Sequence, residues 1–192
     1  MLKKDFWTSS ASKLKETKYL AVMAVFIALK VMVTMIRIPV SENLNIAVSF
    51  MFAAIEGAII GPAAGLVSGA VTDIVGYIVF PSGAFFPGYT LSSMAGMFVY
   101  GLFLYRQKIT VLKIIAAKAV VNYCVNVLLG SLWSAMMFSK GYLFYAANSL
   151  IKNSLMLPIE VIILIAEFNF ILPLLKRRKL IETDTPVPVP FR

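Results

Sequence analysis

Histidine is absent from the sequence, cysteine occurs once (Cys124), and charged residues make up only 14% of the chain. One cysteine cannot form a disulfide framework, and the lack of histidine disfavours a structural zinc site. A serine or cysteine nucleophile would also lack its usual histidine base. A soluble domain normally carries about a quarter charged residues. Because 60% of the 192 residues are hydrophobic, the composition indicates an integral membrane protein with one domain.

Long apolar runs fill most of the chain, and a membrane-spanning helix needs about 20 mostly apolar residues. We predict six such spans, of which the second is short: residues 19–38, 46–60, 63–80, 88–105, 111–138 and 143–175. Gly61 and Pro62 form a tight break followed by a helix start, because proline suits the first helical position. The predicted fold is an all-α bundle of six transmembrane helices within residues 19–178.

Most basic residues fall on one side of this six-span arrangement. They precede the first span, surround the fourth connection or follow the last span: Lys3, Lys4, Lys13, Lys15, Lys18, Arg106, Lys108, Lys113 and residues 176–179. The opposite loops hold only Arg37 and Lys140, with Lys152 near an end. Since basic residues concentrate in cytoplasmic loops, both termini are predicted to be cytoplasmic. The formal charge of +9 therefore reflects topology, and no nucleic-acid partner is expected.

Two terminal segments lie outside the predicted bundle. Residues 1–18 combine Phe6 and Trp7 with several lysines, a pattern typical of an amphipathic segment that lies on the membrane surface on the cytoplasmic side. Residues 179–192 are polar and rich in proline, so we expect a disordered cytoplasmic tail without an assigned function.

Asp73 places a carboxylate inside the apolar run SGAVTDIVGY (68–77). A charge within a span is costly and persists where it faces the protein interior with a partner or ligand. Gly65, Gly69 and Asp73 are four residues apart and share a helix face, so Asp73 is expected to point into the bundle. Counting residues along the spans puts further polar groups at the same outward level: Lys30, Arg37, Tyr89, Ser92, Asn122, Asn126 and Lys152. This predicts a polar pocket capped by the loops 39–45 and 81–87.

The chemistry of this pocket suits an anionic, aromatic, amino-substituted small molecule. A carboxylate can accept hydrogen bonds from the N–H and NH2 groups of a ring edge, and lysine or arginine at the mouth can bind carboxylates. Asp73 and Lys30 could instead pair with each other, and asparagines often only tie helices together. The remaining intramembrane charges are interpreted as structural pairs or interface charges nearer the cytoplasm: Glu56, Lys118, Glu160 and Glu167.

Three segments together resemble a known family. RIPVSENLNI (37–46), GPAAGLVSGAVTDIVGY (61–77) and PSGAFFPGYTLS (81–92) are similar to the folate-specific substrate-binding (S) components of energy-coupling factor (ECF) vitamin transporters. The resemblance implies a high-affinity folate binder that works with a transmembrane coupling protein and two cytoplasmic ATPases. It also implies that the chain captures folate outside and releases it inside after docking and reorientation. No cofactor is implied in this chain, and the partner ATPases would use the ATP, since no G-x-x-x-x-G-K-[ST] motif occurs.

The resemblance also suggests roles for the pocket residues. Asp73 would hold the pterin edge, with the loop containing Glu42 and Asn43 as a lid. Four residues would complete the polar contacts: Tyr89, Ser92, Asn122 and Asn126. Three basic residues would face the glutamate end: Lys30, Arg37 and Lys152. The folate branch often has a positive residue after the sequence E-N-L, where this chain has Asn45.

A partner surface is implied on the first span. Ala24 and Ala28 match the A-x-x-x-A motif that contacts the coupling protein in this family, and Ala21 lies on the same flank. Ordinary helix packing inside the bundle is the alternative reading.

Other functions stay open at this point. An S component for riboflavin, thiamine or a similar ring belongs to the same class. An intramembrane protease would need a histidine base, and a phospholipid-type transferase would need clustered aspartates for a metal. A stand-alone transporter or channel usually shows internal repeats, and none is evident here.

Overall fold

The structure is a computed structural model that describes residues 4–34, 37–41, 44–81 and 84–192, with side chains described outside residues 4, 37–41 and 44–47. Helix α1 (Lys4–Ser12) leads through a 3-10 turn (Lys13–Lys15) into α2 (Thr17–Val33). Strands β1 (Arg37–Ser41) and β2 (Leu44–Ala47) form an antiparallel hairpin, with Arg37 opposite Ala47.

The remaining elements are helical. They are α3 (Ser49–Val79), α4 (Pro87–Leu104), α5 (Val111–Val120), a π-helical segment (Val121–Leu129), α6 (Gly130–Met137) and α7 (Tyr142–Arg177). The second to sixth predicted spans fall on these helices, the second and third being the two halves of α3, and the first falls on α2. The helical prediction is confirmed, and the hairpin is an addition that it did not contain.

Within the residues that the structure describes, three helical stretches are long and apolar enough to cross a membrane: Ser49–Val79, Val111–Met137 and Tyr142–Arg177. Helix α2 has 17 residues and α4 has 18, so each is at the short end of the range for a span. Together these features describe a helical membrane protein.

Helix α3 is the centre of the bundle and is broken at Gly61, whose φ of 80° is left-handed. The break was predicted from the Gly-Pro pair, and the helix resumes at Pro62. The Ser10 side chain satisfies backbone groups at the break. Its hydroxyl donates to the Ile60 carbonyl (2.8 Å) and accepts from the Ala63 N–H (3.0 Å). These are backbone groups that helix termini otherwise leave without partners.

The N-terminal segment forms helix α1 and packs against the bundle. Phe6 lies edge-on to Tyr105, with ring centroids 5.4 Å apart, and Trp7 stacks on Phe98 at 5.8 Å. Lys13 donates to the Ile59 carbonyl at 2.5 Å. Burial lowers the pKa of Lys13 to about 8. The N-terminal segment therefore packs against α3 and hydrogen-bonds to its backbone at the break.

Helices α3 and α4 approach each other closely along glycines. A Cβ at Gly101 would lie 2.6 Å from Pro62 Cα, and one at Gly69 would lie 2.7 Å from the Ser93 carbonyl oxygen. Neither position has room for a side chain. The close approach fixes the pair of helices that carries Asp73 and the serines of α4.

The C-terminal tail differs from the disordered segment expected from its composition. Thr185 is buried and accepts the Ile109 N–H at 2.7 Å. The Val111 and Leu112 N–H groups donate to the Pro190 and Phe191 carbonyls at 2.9 and 3.2 Å. The first turn of α5 has free N–H groups, and the extended tail supplies the acceptors that they need.

Candidate functional site

A cavity of about 910 Å³ lies among α2, α3, α4, α7 and the α5–π–α6 stretch. Its volume falls within the range of small-molecule sites, which measure about 300–1,000 Å³. Its wall mixes aromatic side chains with a few polar ones, as such sites usually do. Five of the residues predicted for the pocket line this cavity: Lys30, Asp73, Tyr89, Ser92 and Asn126.

Asp73 is half-buried on the second half of α3 and faces this cavity. The Thr90 hydroxyl donates to Asp73 Oδ2 at 2.6 Å. Thr90 lies in the first turn of α4, so this bond ties the start of α4 to α3 and orients the carboxylate. A carboxylate held by one hydroxyl can still accept hydrogen bonds from a ligand, because its two oxygens offer about four acceptor sites.

Lys30 is buried at the cavity wall, but its ammonium group forms an ion pair with Glu56 and not with Asp73. Its Nζ lies 2.6 Å from Glu56 Oε2, and Ser68 donates to Glu56 Oε1 at 2.5 Å. Lys30 also donates to the Ser68 hydroxyl at 3.2 Å. The alternative of a Lys30–Asp73 pair is therefore not what the structure shows, whereas the interpretation of Glu56 as one member of a structural pair is confirmed.

Aromatic residues surround the polar groups at the start of α4. Ser92 accepts the Trp133 indole N–H at 2.9 Å. The Phe86 ring lies between Trp133 and Tyr89, with centroids 5.7 and 6.1 Å away. Phe86, Tyr89 and Ser92 line the cavity, with the Trp133 indole bonded to Ser92. This part of the cavity offers flat apolar surfaces beside a hydroxyl, which suits a planar ring.

The π-helical segment carries both predicted asparagines. Asn126 lines the cavity and donates to Asn153 Oδ1 at 3.2 Å. Asn122 is fully buried outside the lining and donates to Glu160 Oε2 at 2.8 Å. π-helical turns occur frequently at functional sites. Asn122 is therefore hydrogen-bonded to a cavity-lining carboxylate without lining the cavity itself.

Lys118 and Glu160 form an ion pair of 3.1 Å and both line the cavity. Of the two interpretations left open for these residues, structural pairs or interface charges, the structure shows a pair, and it lies at the cavity and not at another depth. Tyr100, which is 2% exposed, also lines the cavity and was not singled out. Nothing in the run MFVYGLFLY (97–105) distinguishes this tyrosine from an ordinary core aromatic.

The other predicted residues lie elsewhere. Lys152 is exposed on α7 and does not line the cavity. Arg37 is described only as the first residue of β1, and Glu42 and Asn43 lie outside the described residues.

All three alanines proposed as a partner surface are exposed on α2: Ala21, Ala24 and Ala28. Met23, Lys30 and Val31 form the buried face of the same helix. Packing inside the bundle, the alternative explanation for the alanines, therefore does not apply to them.

Comparison with known proteins identifies similar chains. The family model described as "ECF transporter, substrate-specific component" matches residues 18–172. The folate transporter FolT of Clostridium novyi (strain NT) is 28% identical over 158 residues, covering 82% of this chain and 92% of the relative. FolT of Leuconostoc mesenteroides subsp. mesenteroides is 26% identical over 153 residues, covering 76% and 82%. A crystal structure of FolT bound with folic acid superposes with a TM-score of 0.69 at 32% identity, covering 78% of this chain and 91% of that one.

Proposed function

Since the chain belongs to the family of substrate-specific components of ECF transporters, we propose that it is the folate-binding subunit of such a transporter. The observation that carries this proposal is the cavity among the helices, with the Asp73 carboxylate and flat aromatic surfaces in its wall. The fold likeness to a FolT structure that contains folic acid supports the choice of ligand.

The binding mode follows from the chemistry of the wall. Asp73 accepts hydrogen bonds from the N–H and NH2 groups of the pterin, while Phe86 and Tyr89 contact its faces. Ser92, Asn122 and Asn126 complete the polar contacts, Asn122 indirectly. The glutamate end faces the basic residues Lys30, Arg37 and Lys152, and the loop with Glu42 and Asn43 closes over it. Arg37 carries most of this role, since Glu56 neutralises Lys30 and Lys152 lies off the cavity.

The chain crosses the membrane six times with both termini in the cytoplasm. Contacts among the basic segments support this topology. Lys18 donates to the Lys179 carbonyl at 3.2 Å, and Arg106 pairs with Glu182 at 2.9 Å. The N-terminal segment, the α4–α5 connection and the tail thus meet at one end of the bundle. A cluster of basic residues at one end is the expected signature of the cytoplasmic side.

A transmembrane coupling protein and two cytoplasmic ATPases complete the importer, and the S component docks through the exposed alanines of α2. Small residues allow helices of two proteins to approach closely in lipid. After docking, the chain reorients and releases folate inside.

A binding titration tests the ligand directly. The purified chain, without ATPases, is expected to bind folate in preference to riboflavin and thiamine at equal concentrations. Asp73→Asn should weaken folate by about tenfold or more, because a hydrogen bond to a charged group contributes about 1.5–3 kcal/mol. Asp184→Asn, an exposed acid in the tail, is the matched control. Preferential binding of riboflavin or thiamine would reassign the substrate, and an unchanged folate affinity in Asp73→Asn would remove that residue from the site.

A transport assay tests the docking surface. Ala24→Trp is expected to abolish uptake in the reconstituted complex while leaving folate binding in detergent intact. Ile162→Trp, on the exposed face of α7, should leave both unchanged. Loss of binding in Ala24→Trp would contradict a docking role.

A further inference from the structure

Tyr100 is the one cavity-lining tyrosine on the buried face of α4, and it is 2% exposed. Within the described part of the chain, its hydroxyl has no hydrogen-bond partner. Buried polar groups nearly always have a partner, so a buried hydroxyl without one needs an explanation. A position in the wall of a binding cavity supplies that explanation, because a bound ligand can provide the missing partner.

Two other polar side chains of the cavity wall, Lys118 and Glu160, are already engaged. Both oxygens of Glu160 have partners, one in Lys118 (3.1 Å) and one in Asn122 (2.8 Å). Lys118 Nζ also lies 4.3 Å above the Phe50 ring. The hydroxyl of Tyr100 is therefore the free donor among these groups.

The electrostatic surroundings select the kind of atom that Tyr100 meets. Tyr100 lies within the field of Glu160 and Glu167, and Lys118 balances only Glu160. A ligand carboxylate placed here would be a third acidic group beside a single lysine, which is unfavourable. An uncharged acceptor, such as a ring nitrogen or a ring carbonyl oxygen, carries no such penalty.

The distance along α4 is compatible with one ligand touching both ends. Thr90, which holds Asp73, and Tyr100 are ten residues apart, or about 15 Å along the helix. Long helical side chains lean back toward the N-terminus, which shortens the gap that a ligand has to bridge between these two parts of the wall. A ring system with its N–H edge on Asp73 can then present its acceptor side toward Tyr100.

We propose that Tyr100 is a ligand-binding residue whose hydroxyl donates a hydrogen bond to an uncharged acceptor on the ring system of the bound molecule. The inference rests on the proposed function, in which that ring is a pterin. Tyr100 then discriminates in favour of rings that carry an acceptor on the side away from the Asp73 contact.

A pair of tyrosine variants tests this inference. Tyr100→Phe keeps the ring and removes the hydroxyl, so folate affinity should fall about three- to tenfold, the range of one neutral hydrogen bond. The unfolding temperature of the ligand-free protein should be unchanged or raised, because an unpaired polar group is removed. Tyr105→Phe is the matched control: Tyr105 is equally buried, lies outside the cavity lining, and its hydroxyl is 2.9 Å from Ser9 Oγ. That variant should lose thermal stability and keep its folate affinity.

Pteroic acid, which lacks the glutamate, separates the two ends of the ligand. Tyr100→Phe should weaken pteroic acid and folate by the same factor if the contact is to the ring. A loss confined to folate would overturn the assignment to the ring, and an affinity unchanged within twofold for both would overturn the inference entirely. Absence of folate binding by the unaltered chain would overturn the proposed function and the inference together.

Discussion

Replacing Ser10 with alanine should destabilise the whole bundle, although Ser10 lies in a short N-terminal helix. Its hydroxyl is completely buried at the break in α3. It donates to the Ile60 carbonyl (2.8 Å) and accepts from the N–H groups of Ala63 (3.0 Å) and Ala64 (3.2 Å). Ser10→Ala leaves these three backbone groups without their partner.

The magnitude follows from the cost of unpaired backbone groups. Loss of a helix N-cap costs about 0.5–2 kcal/mol. A buried carbonyl left unsatisfied adds about 1–3 kcal/mol. With partial relaxation, we expect a loss of about 2–4 kcal/mol, which for a chain of this size lowers the unfolding temperature by about 5–15 °C.

Tryptophan fluorescence in detergent measures this effect. Trp7 stacks on Phe98, so its emission reports the docking of α1 as well as global unfolding. Ser12→Ala is the matched control, because the Ser12 hydroxyl is exposed and bonds only within α1, to the Ser9 carbonyl. If Ser10→Ala and Ser12→Ala unfold within about 2 °C of each other, Ser10 does not stabilise the break.

Three further predictions concern the buried charges, the glycine contact and pH. Lys30→Met should destabilise the protein by about 3–5 kcal/mol, because Glu56 is left as an unpaired buried charge. In chemical unfolding, the double variant Lys30→Met/Glu56→Met should recover most of this loss. Equal stability of the single and double variants would contradict this explanation. Gly101→Ala should abolish folded expression, measured by size-exclusion chromatography, since its Cβ would clash with the backbone of α3. Gly96→Ala, with nothing within 4 Å of the added Cβ, should elute as the parent does. The free energy of unfolding should rise between pH 8 and pH 10.5, because burial lowers the pKa of Lys13 from 10.5 to about 8 and the unfolded chain then binds more protons in that window. Lys13→Met should flatten that rise, and an identical pH profile in the variant would refute it.

The helical fold could be predicted from the sequence because hydrophobic runs and one Gly-Pro pair specify it locally. The break at Gly61 is confirmed by its φ of 80°. The partners of that break could not be predicted, since Ser10 is fifty residues away in sequence from Ile60. The path of the tail could not be predicted for the same reason. It depends on hydrogen bonds from N–H groups at the start of α5, and the composition of the tail does not reveal them.

The depth of the site residues along the helix axes could be predicted from the sequence, but the helix faces that they occupy could not. Counting residues puts Asp73 and Tyr89 at one level, because the rise per residue in a helix is constant, and both residues line the cavity. The same count included Lys152, which the structure places off the cavity, because depth along an axis does not fix the face that a residue occupies. Lys118 and Glu160 were misplaced for a related reason, since the cavity reaches further along α4 than the level of Asp73.

Helix α2 illustrates how burial resolves an ambiguity that spacing leaves open. Its exposed residues include Ala21, Ala24 and Ala28, beside the larger Leu20, Val25 and Met32. A face that meets only lipid gains nothing from small residues, because acyl chains pack equally well against leucine or phenylalanine. A face that meets another helix does gain, since alanine lets the two backbones approach closely. The exposed alanines of α2 are therefore the part of this helix where a partner helix would gain a close approach.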